Sequence, residues 1–280
     1  MRLLVYSDYE NVCRFAADYI IQRINDFAPK AEKPFVLGLP TGSSPLGVYR
    51  NLIAACGEKE VSFANVITFN MDEYLGLESD HPQSYRRFMK DNFFSSIDIP
   101  PENTHLLDGM AGDPEAECAA YEAAIKAAGG IELFLGGIGG NGHIAFNEPG
   151  SPLDSRTRVV VLNAETRADN ARFFDGDPGK VPASALTVGI GTVMDAREVF
   201  IIASGRQKAK ALKAALKGEV GPSCPLSCLQ THPNAIIVCD DDAAGEIKRS
   251  ISTVRYDEEI PVKTGTDEWI CTEEKKIEGT

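Results

Sequence analysis

The sequence predicts an α/β fold: a single domain with a mainly parallel, doubly wound (Rossmann-like) sheet, helices on both faces and a lid segment. Two observations carry that expectation. Short apolar runs alternate with helical periods along the chain, the pattern of strands buried between two helical layers. Glycine-rich or charged clusters follow directly on several of those runs, where open parallel sheets bind ligands. The 280 residues, 43% of them hydrophobic, suffice for one large core. No linker or internal repeat interrupts the pattern, so residues 1–250 read as one domain and 251–280 as a charged, weakly periodic tail.

Arg2-Leu-Leu-Val-Tyr6 reads as the first strand. Ser7 and Glu10 have the spacing of a capping box, and Val12, Ala16, Ile20 and Ile24 mark one helical face. Pro34-Phe-Val-Leu-Gly-Leu39 is a buried strand that breaks at Pro40-Thr-Gly-Ser-Ser-Pro45. A helix starts there, with Ser44 as cap and Pro45 in its first position, and Gly57 closes it. Asn65-Val-Ile-Thr-Phe69 is the next strand and runs into a loop, Asn70-Met-Asp-Glu-Tyr74. Helices follow near Ser84 to Phe94 and from Pro114 to Ala128, the second capped by Asp113 and stopped by Gly129. Ile131-Glu-Leu-Phe-Leu135 is the central strand, and it opens into Gly136-Gly-Ile-Gly-Gly-Asn-Gly-His143. A short apolar run at Arg158 to Leu162 precedes a charged helical stretch, Glu165 to Phe174. Glu198 to Ala203 is a strand, Ser204 caps a helix ending before Gly218, Ala235 to Cys239 is the last strand, and a helix is expected near Asp241 to Ser250.

The net charge of −13 argues against general affinity for nucleic acid or an anionic membrane. No apolar run reaches about 18 residues, so no membrane span is expected, and the amino terminus turns polar too soon for a signal peptide. Seven scattered cysteines fit reduced thiols and a cytoplasmic protein. Cys224, Cys228 and His232 fall at helical spacing, but without a C-x-x-C pair they read as buried structural groups, so no metal is expected. Gly137-x-Gly139-x-x-Gly142 matches a dinucleotide fingerprint. That motif must open a helix, and Asn147-Glu-Pro-Gly-Ser-Pro152 breaks one, so no nicotinamide cofactor is expected either.

Four strand ends carry chemistry. Thr41, Gly42, Ser43 and Ser44 offer hydroxyls and amides at a helix start, a geometry that suits a phosphate, although Ser44 alone would serve as an ordinary cap. Asp72 and Glu73 are adjacent carboxylates, either of which could be a base. Asn141, His143 and Glu148 follow the central strand, where a histidine beside a carboxylate suits proton transfer near neutral pH. Lys208 sits in a first helical turn, where a cation opposes the helix dipole; that cost favours a role in holding an anion, although a solvated lysine is the commoner case. Arg172 lies on a polar-aromatic segment able to close over a site.

Taken in order, Pro40-Thr-Gly-Ser-Ser-Pro45, Phe69-Asn-Met-Asp-Glu-Tyr74, Gly137 through Pro149, Ala171-Arg-Phe-Phe174, Ala185-Leu-Thr-Val-Gly189, Gly205-x-x-Lys-Ala209 and Ser227-Cys-Leu-Gln-x-His-Pro233 resemble the glucosamine-6-phosphate deaminase family. The resemblance covers residues 1 to about 250. It implies conversion of glucosamine 6-phosphate and water to fructose 6-phosphate and ammonia, in amino-sugar catabolism, with no cofactor. It implies Asp72 as the base that moves a proton from C2 to C1 of the opened sugar. It implies His143, with Glu148 and Asn141, as the group assisting ring opening. Position 141 is Asp in some members; Asn141 can orient His143 but carries no charge. Thr41, Gly42, Ser43, Ser44, Arg172 and Lys208 would hold the phosphate. Some members are homo-oligomers activated by N-acetylglucosamine 6-phosphate at a site resembling Ser151, Arg158 and a lysine two residues on. Here position 160 is valine, so weak activation is expected unless Arg255 or Lys263 replaces the lysine. The alternatives are a 6-phosphogluconolactonase-like hydrolase and a non-catalytic sugar-phosphate sensor of the same fold. Met71-Asp-Glu-Tyr74 and Asn147-Glu-Pro149 argue against the first, and the absence of a basic patch against the second.

Overall fold

The computed structural model describes residues 1–247. The charged tail, with Arg255 and Lys263, lies outside them, as does the end of the helix expected at Asp241 to Ser250; its described part, 241–247, is a series of turns. Strands β1 (Arg2–Tyr6), β2 (Phe35–Leu39), β3 (Val66–Asn70), β5 (Thr104–His105), β6 (Leu133–Gly137), β9 (Glu198–Ala203) and β10 (Ala235–Asp240) form one sheet. Its order is β1-β10-β9-β6-β2-β3-β5, and all its pairings are parallel. The apolar runs of β2, β9 and β10 are buried along their whole length because helices cover both faces.

One apolar layer packs α1 (Tyr9–Phe27) and α2 (Leu46–Gly57) with α3 (Tyr85–Asn92) on one face, through Ile20, Tyr49, Phe63 and Phe93. The other gathers α4 (Pro114–Ala127), α6 (Ile190–Met194) and α7 (Ala209–Lys217), around Phe134, Ile201 and Leu212. Asp113 caps α4 as expected, its carboxylate accepting the Ala116 amide at 3.1 Å. Three expected caps are different. Asp8 rather than Ser7 caps α1, accepting the Asn11 amide at 2.8 Å. Pro45 occupies the cap position of α2 and makes no side-chain bond, so Ser44 is not its cap. Ser204 caps no helix; a 3₁₀ turn at Arg206–Lys208 leads into α7.

A second sheet, of three antiparallel strands, was not evident in the sequence. It has the order β4 (Asp72–Tyr74), β8 (Ser184–Thr187), β7 (Arg158–Val161). The segment expected as a loop after β3 is therefore a strand. Met71 joins the two sheets: its amide donates to the Leu39 carbonyl at 3.0 Å and its carbonyl accepts from Val188 at 2.8 Å. Between β7 and β8 runs the lid, α5 (Ala164–Asn170) and a 3₁₀ turn at Ala171–Phe173. It closes on a third small core in which Phe174 meets Tyr74 edge-on at 5.6 Å.

Candidate active site

The sheet order places the carboxyl ends of β9, β6, β2 and β3 side by side. The chain leaves β2 toward β3 on one side and reaches β6 and β9 on the other, so the topological switch lies between β2 and β6. The loops after those two strands contain Thr41–Ser44 and Asn141–His143. All the strand ends singled out in the sequence thus share one rim.

On that rim the adjacent carboxylates separate by role. Successive strand residues point to opposite faces. Glu73 is turned into structure: its carboxylate accepts the amides of Tyr74 at 2.8 Å and of Tyr85 and Arg86 at 3.0 Å, which anchors the start of α3. Asp72, 7% exposed, accepts no hydrogen bond from any described residue. Burial, and secondarily the charge of Glu73, pushes its carboxyl up to about 8. A buried, unpartnered carboxylate that binds a proton this tightly is a strong base once ionised.

His143 lies flat over the turn before it. A Cβ on Gly139 would fall 2.1–2.2 Å from three ring atoms, so only glycine lets the ring lie there. The Gly139 amide donates to the His143 carbonyl at 2.9 Å, closing the loop. Nδ1 of His143 is 2.8 Å from Oδ1 of Asn141. An amide oxygen only accepts, so Nδ1 carries the proton and Nε2 presents a lone pair. Burial, then the nearby charge of Lys208, lowers the imidazole to about 4, against a weaker opposing pull from Asp169. His143 is therefore neutral at physiological pH. Glu148 makes no hydrogen bond to it. The Glu148 carboxylate instead accepts from Asn163, from its amide at 3.2 Å and from its side-chain Nδ2.

The hydroxyls of Thr41, Ser43 and Ser44 make no hydrogen bonds among the described residues, and Gly42 takes the left-handed φ of +88° that turns the loop. With Ser44 released from capping, the loop is left with unspent donors. Sequence reasoning missed what braces it. The Tyr9 hydroxyl donates to the carbonyls of Ser44 at 3.1 Å and Ser43 at 3.3 Å, and accepts the Gly47 amide at 2.9 Å. No local signal marks a tyrosine 34 residues upstream for that task. Opposite lies the loop after β9, fixed by Asp240, which accepts the Gly205 amide through both oxygens at 2.9 and 3.0 Å. There Lys208 is lowered chiefly by burial, raised by Asp169 and lowered again by Arg172. The two cations are close enough to repel, and neither has a carboxylate within ion-pair distance among the described residues; Arg172 lies over the Phe173 ring at 4.7 Å.

Ser151 and Arg158 form no hydrogen bond with Thr41–Ser44, Arg172 or Lys208. Arg158 donates to Ser151 Oγ at 3.3 Å and to Asn147 Oδ1 at 2.7 Å. Val160 packs against the lid core and adds no charge there. Two features set aside in the sequence are also explained. Gly137–Gly142 opens no helix, and both ring nitrogens of His232 are engaged, with the Ala196 carbonyl at 2.9 Å and the Asn234 amide at 3.1 Å.

The family model for glucosamine-6-phosphate isomerases/6-phosphogluconolactonase matches residues 7–238. A protein of Porphyromonas gingivalis named glucosamine-6-phosphate deaminase is 56% identical over 260 residues, covering 93% of this chain and 98% of its own. One of the same name from Tolumonas auensis is 57% identical, covering 93% and 97%. A solved structure described as a monomeric glucosamine-6-phosphate deaminase matches with a TM-score of 0.81 and 40% identity, over 88% of this chain and 100% of that one. The 6-phosphogluconolactonase from Trypanosoma cruzi, with a TM-score of 0.68 and 19% identity, over 88% and 96%, shares the fold. The chain belongs to the glucosamine-6-phosphate isomerase/6-phosphogluconolactonase family.

Proposed function

We propose that this chain converts glucosamine 6-phosphate and water to fructose 6-phosphate and ammonia, the activity of a glucosamine-6-phosphate deaminase. The observation that carries the reading is Asp72: a buried carboxylate with no hydrogen-bond partner among the described residues, held up to about 8, on the same rim as a neutral histidine and a cationic cradle. Lactone hydrolysis requires no such carbon base. In this reading Thr41, Gly42, Ser43 and Ser44 hold the phosphate together with Arg172 and Lys208. His143 takes the O1 hydroxyl proton on Nε2 and returns it to the ring oxygen, opening the pyranose, while Asn141 fixes the imidazole and Glu148 the sugar. Asp72 then removes the C2 proton and delivers it to C1. As the double bond shifts, the C2 ammonium gives up one proton to O1, so C1 becomes the alcohol and C2 an iminium, which water hydrolyses to the ketone and ammonia, released as ammonium.

Ser151 and Arg158 are proposed as an effector anion site, supported by a half-buried guanidinium that burial lowers and that has no counter-carboxylate among the described residues. A cytoplasmic location is proposed on the six described cysteines, all free thiols. The test of function is incubation with glucosamine 6-phosphate and, separately, with 6-phosphogluconolactone. Ammonia and fructose 6-phosphate in equal amounts are expected from the first; lactone hydrolysis without ammonia would contradict the proposal.

A further inference from the structure

Glu148 has an anchor that the proposed mechanism does not use. Among the described residues only Asn163 hydrogen-bonds to its carboxylate, one oxygen taking the Asn163 amide at 3.2 Å and the other its Nδ2. The third polar group of Asn163 points the opposite way along the chain: its Oδ1 accepts the Thr166 amide at 2.7 Å and caps α5. On the other side, the Leu162 amide is fixed to the Ala183 carbonyl at 2.8 Å, which ties Asn163 to the small sheet that presents Asp72. Nine residues beyond Asn163, and within the same α5–3₁₀ unit, is Arg172.

We propose that Asn163 is a positioning residue: it orients the Glu148 carboxylate and couples that orientation to the lid segment whose Arg172 meets the phosphate. The inference rests on the roles proposed above for Glu148 and Arg172. Its physical content is that binding energy from the non-reacting phosphate is used to align a group at the reacting end. Without the Asn163 amide group, Glu148 keeps one backbone donor and rotates more freely. Phosphate binding then still occurs, but it aligns the carboxylate less well, and the loss is in kcat rather than KM.

Capping and carboxylate orientation use different atoms of one side chain, so substitutions can separate them. Serine and aspartate are both good helix caps, and alanine is a poor one. Asn163→Ser keeps the cap and removes the Nδ2 donor. Asn163→Asp keeps the cap and places a second carboxylate against Glu148. Asn163 is exposed, so these variants are expected to fold, which thermal melts would check. The expected result with glucosamine 6-phosphate is a fall in kcat of about tenfold for Asn163→Ser, with KM within about twofold of wild type, the size of one lost charge-assisted hydrogen bond. For Asn163→Asp a larger fall is expected, partly recovered at lower pH, where one of the facing carboxylates takes up a proton. The inference is overturned if Ser and Asp variants both turn over like wild type while only Asn163→Ala is impaired, since kcat would then follow capping alone. It is also overturned if the Ser variant changes KM and leaves kcat intact. Active wild type, a slow Glu148→Gln variant and normal Asn163 variants would refute this inference and leave the proposed function standing. A wild-type enzyme that releases no ammonia would overturn both.

Discussion

At the scale of single residues, the chemistry rests on two groups kept in unusual protonation states by one means acting in opposite directions. Burial holds the Asp72 carboxyl up to about 8 and the His143 imidazole down to about 4, in each case by disfavouring the charged form. For Asp72 the consequence for stability has a definite sign. Its folded value is raised above the ordinary 3.8, so the native chain keeps a proton that the unfolded chain has lost. The stability this provides is complete below about 3.8 and is lost as pH rises through about 8. Asp72→Asn removes a charge that destabilises the fold and also removes the base. We expect kcat to fall by about 10²- to 10⁴-fold. We expect Tm to rise, by about 2–4 °C for each kcal/mol relieved, and to rise more at pH 9 than at pH 4. Calorimetric melts at the two pH values with steady-state rates would check this; an unchanged kcat would remove Asp72 from the base role. The residue pattern alone left Asp72 and Glu73 equivalent and only the family resemblance singled out Asp72, because adjacency does not show which carboxylate is used up by three backbone amides.

At the scale of elements, the small antiparallel sheet is the unit the sequence did not reveal. Each of its strands is at most four residues long, too short to show a period, and its partners are far apart in the chain. Yet it places Asp72, Thr187 and Arg158 on one rung across three strands. Thr187 Oγ1 accepts the Phe146 amide at 3.1 Å, and Asn147 Nδ2 donates to the Val188 carbonyl at 2.8 Å, so the rung also holds the segment leading into Glu148. An anion on Arg158 would therefore act on strands that carry the base. With valine at position 160, however, that anion has one fixed cation among the described residues, and loss of a charge-assisted partner weakens binding about tenfold or more. A ligand shifts a conformational equilibrium only by its differential affinity for the two states. The expected behaviour is a hyperbolic substrate curve that N-acetylglucosamine 6-phosphate changes little. A sigmoidal curve made hyperbolic by that sugar would contradict the expectation.

At the scale of the whole molecule, the parallel sheet was legible because each of its long strands is a continuous apolar run bounded by turn residues, and the strand ends of interest were legible because polar clusters interrupt those runs abruptly. What stayed hidden depends on tertiary contact. Examples are Tyr9 bracing the Thr41–Ser44 loop, Asp240 fixing the Lys208 loop, and Asn163 on Glu148. Each is a polar residue whose partner is set by sheet order rather than by spacing. The central claim for the assembled rim is that one buried carboxylate serves both carbons of the substrate. It is tested most directly with glucosamine 6-phosphate deuterated at C2. The account predicts slower turnover of the labelled sugar and deuterium recovered in part at C1 of the fructose 6-phosphate, because Asp72 carries the same proton across and is shielded from water. Product without label at C1, formed at the rate of the unlabelled sugar, would contradict it.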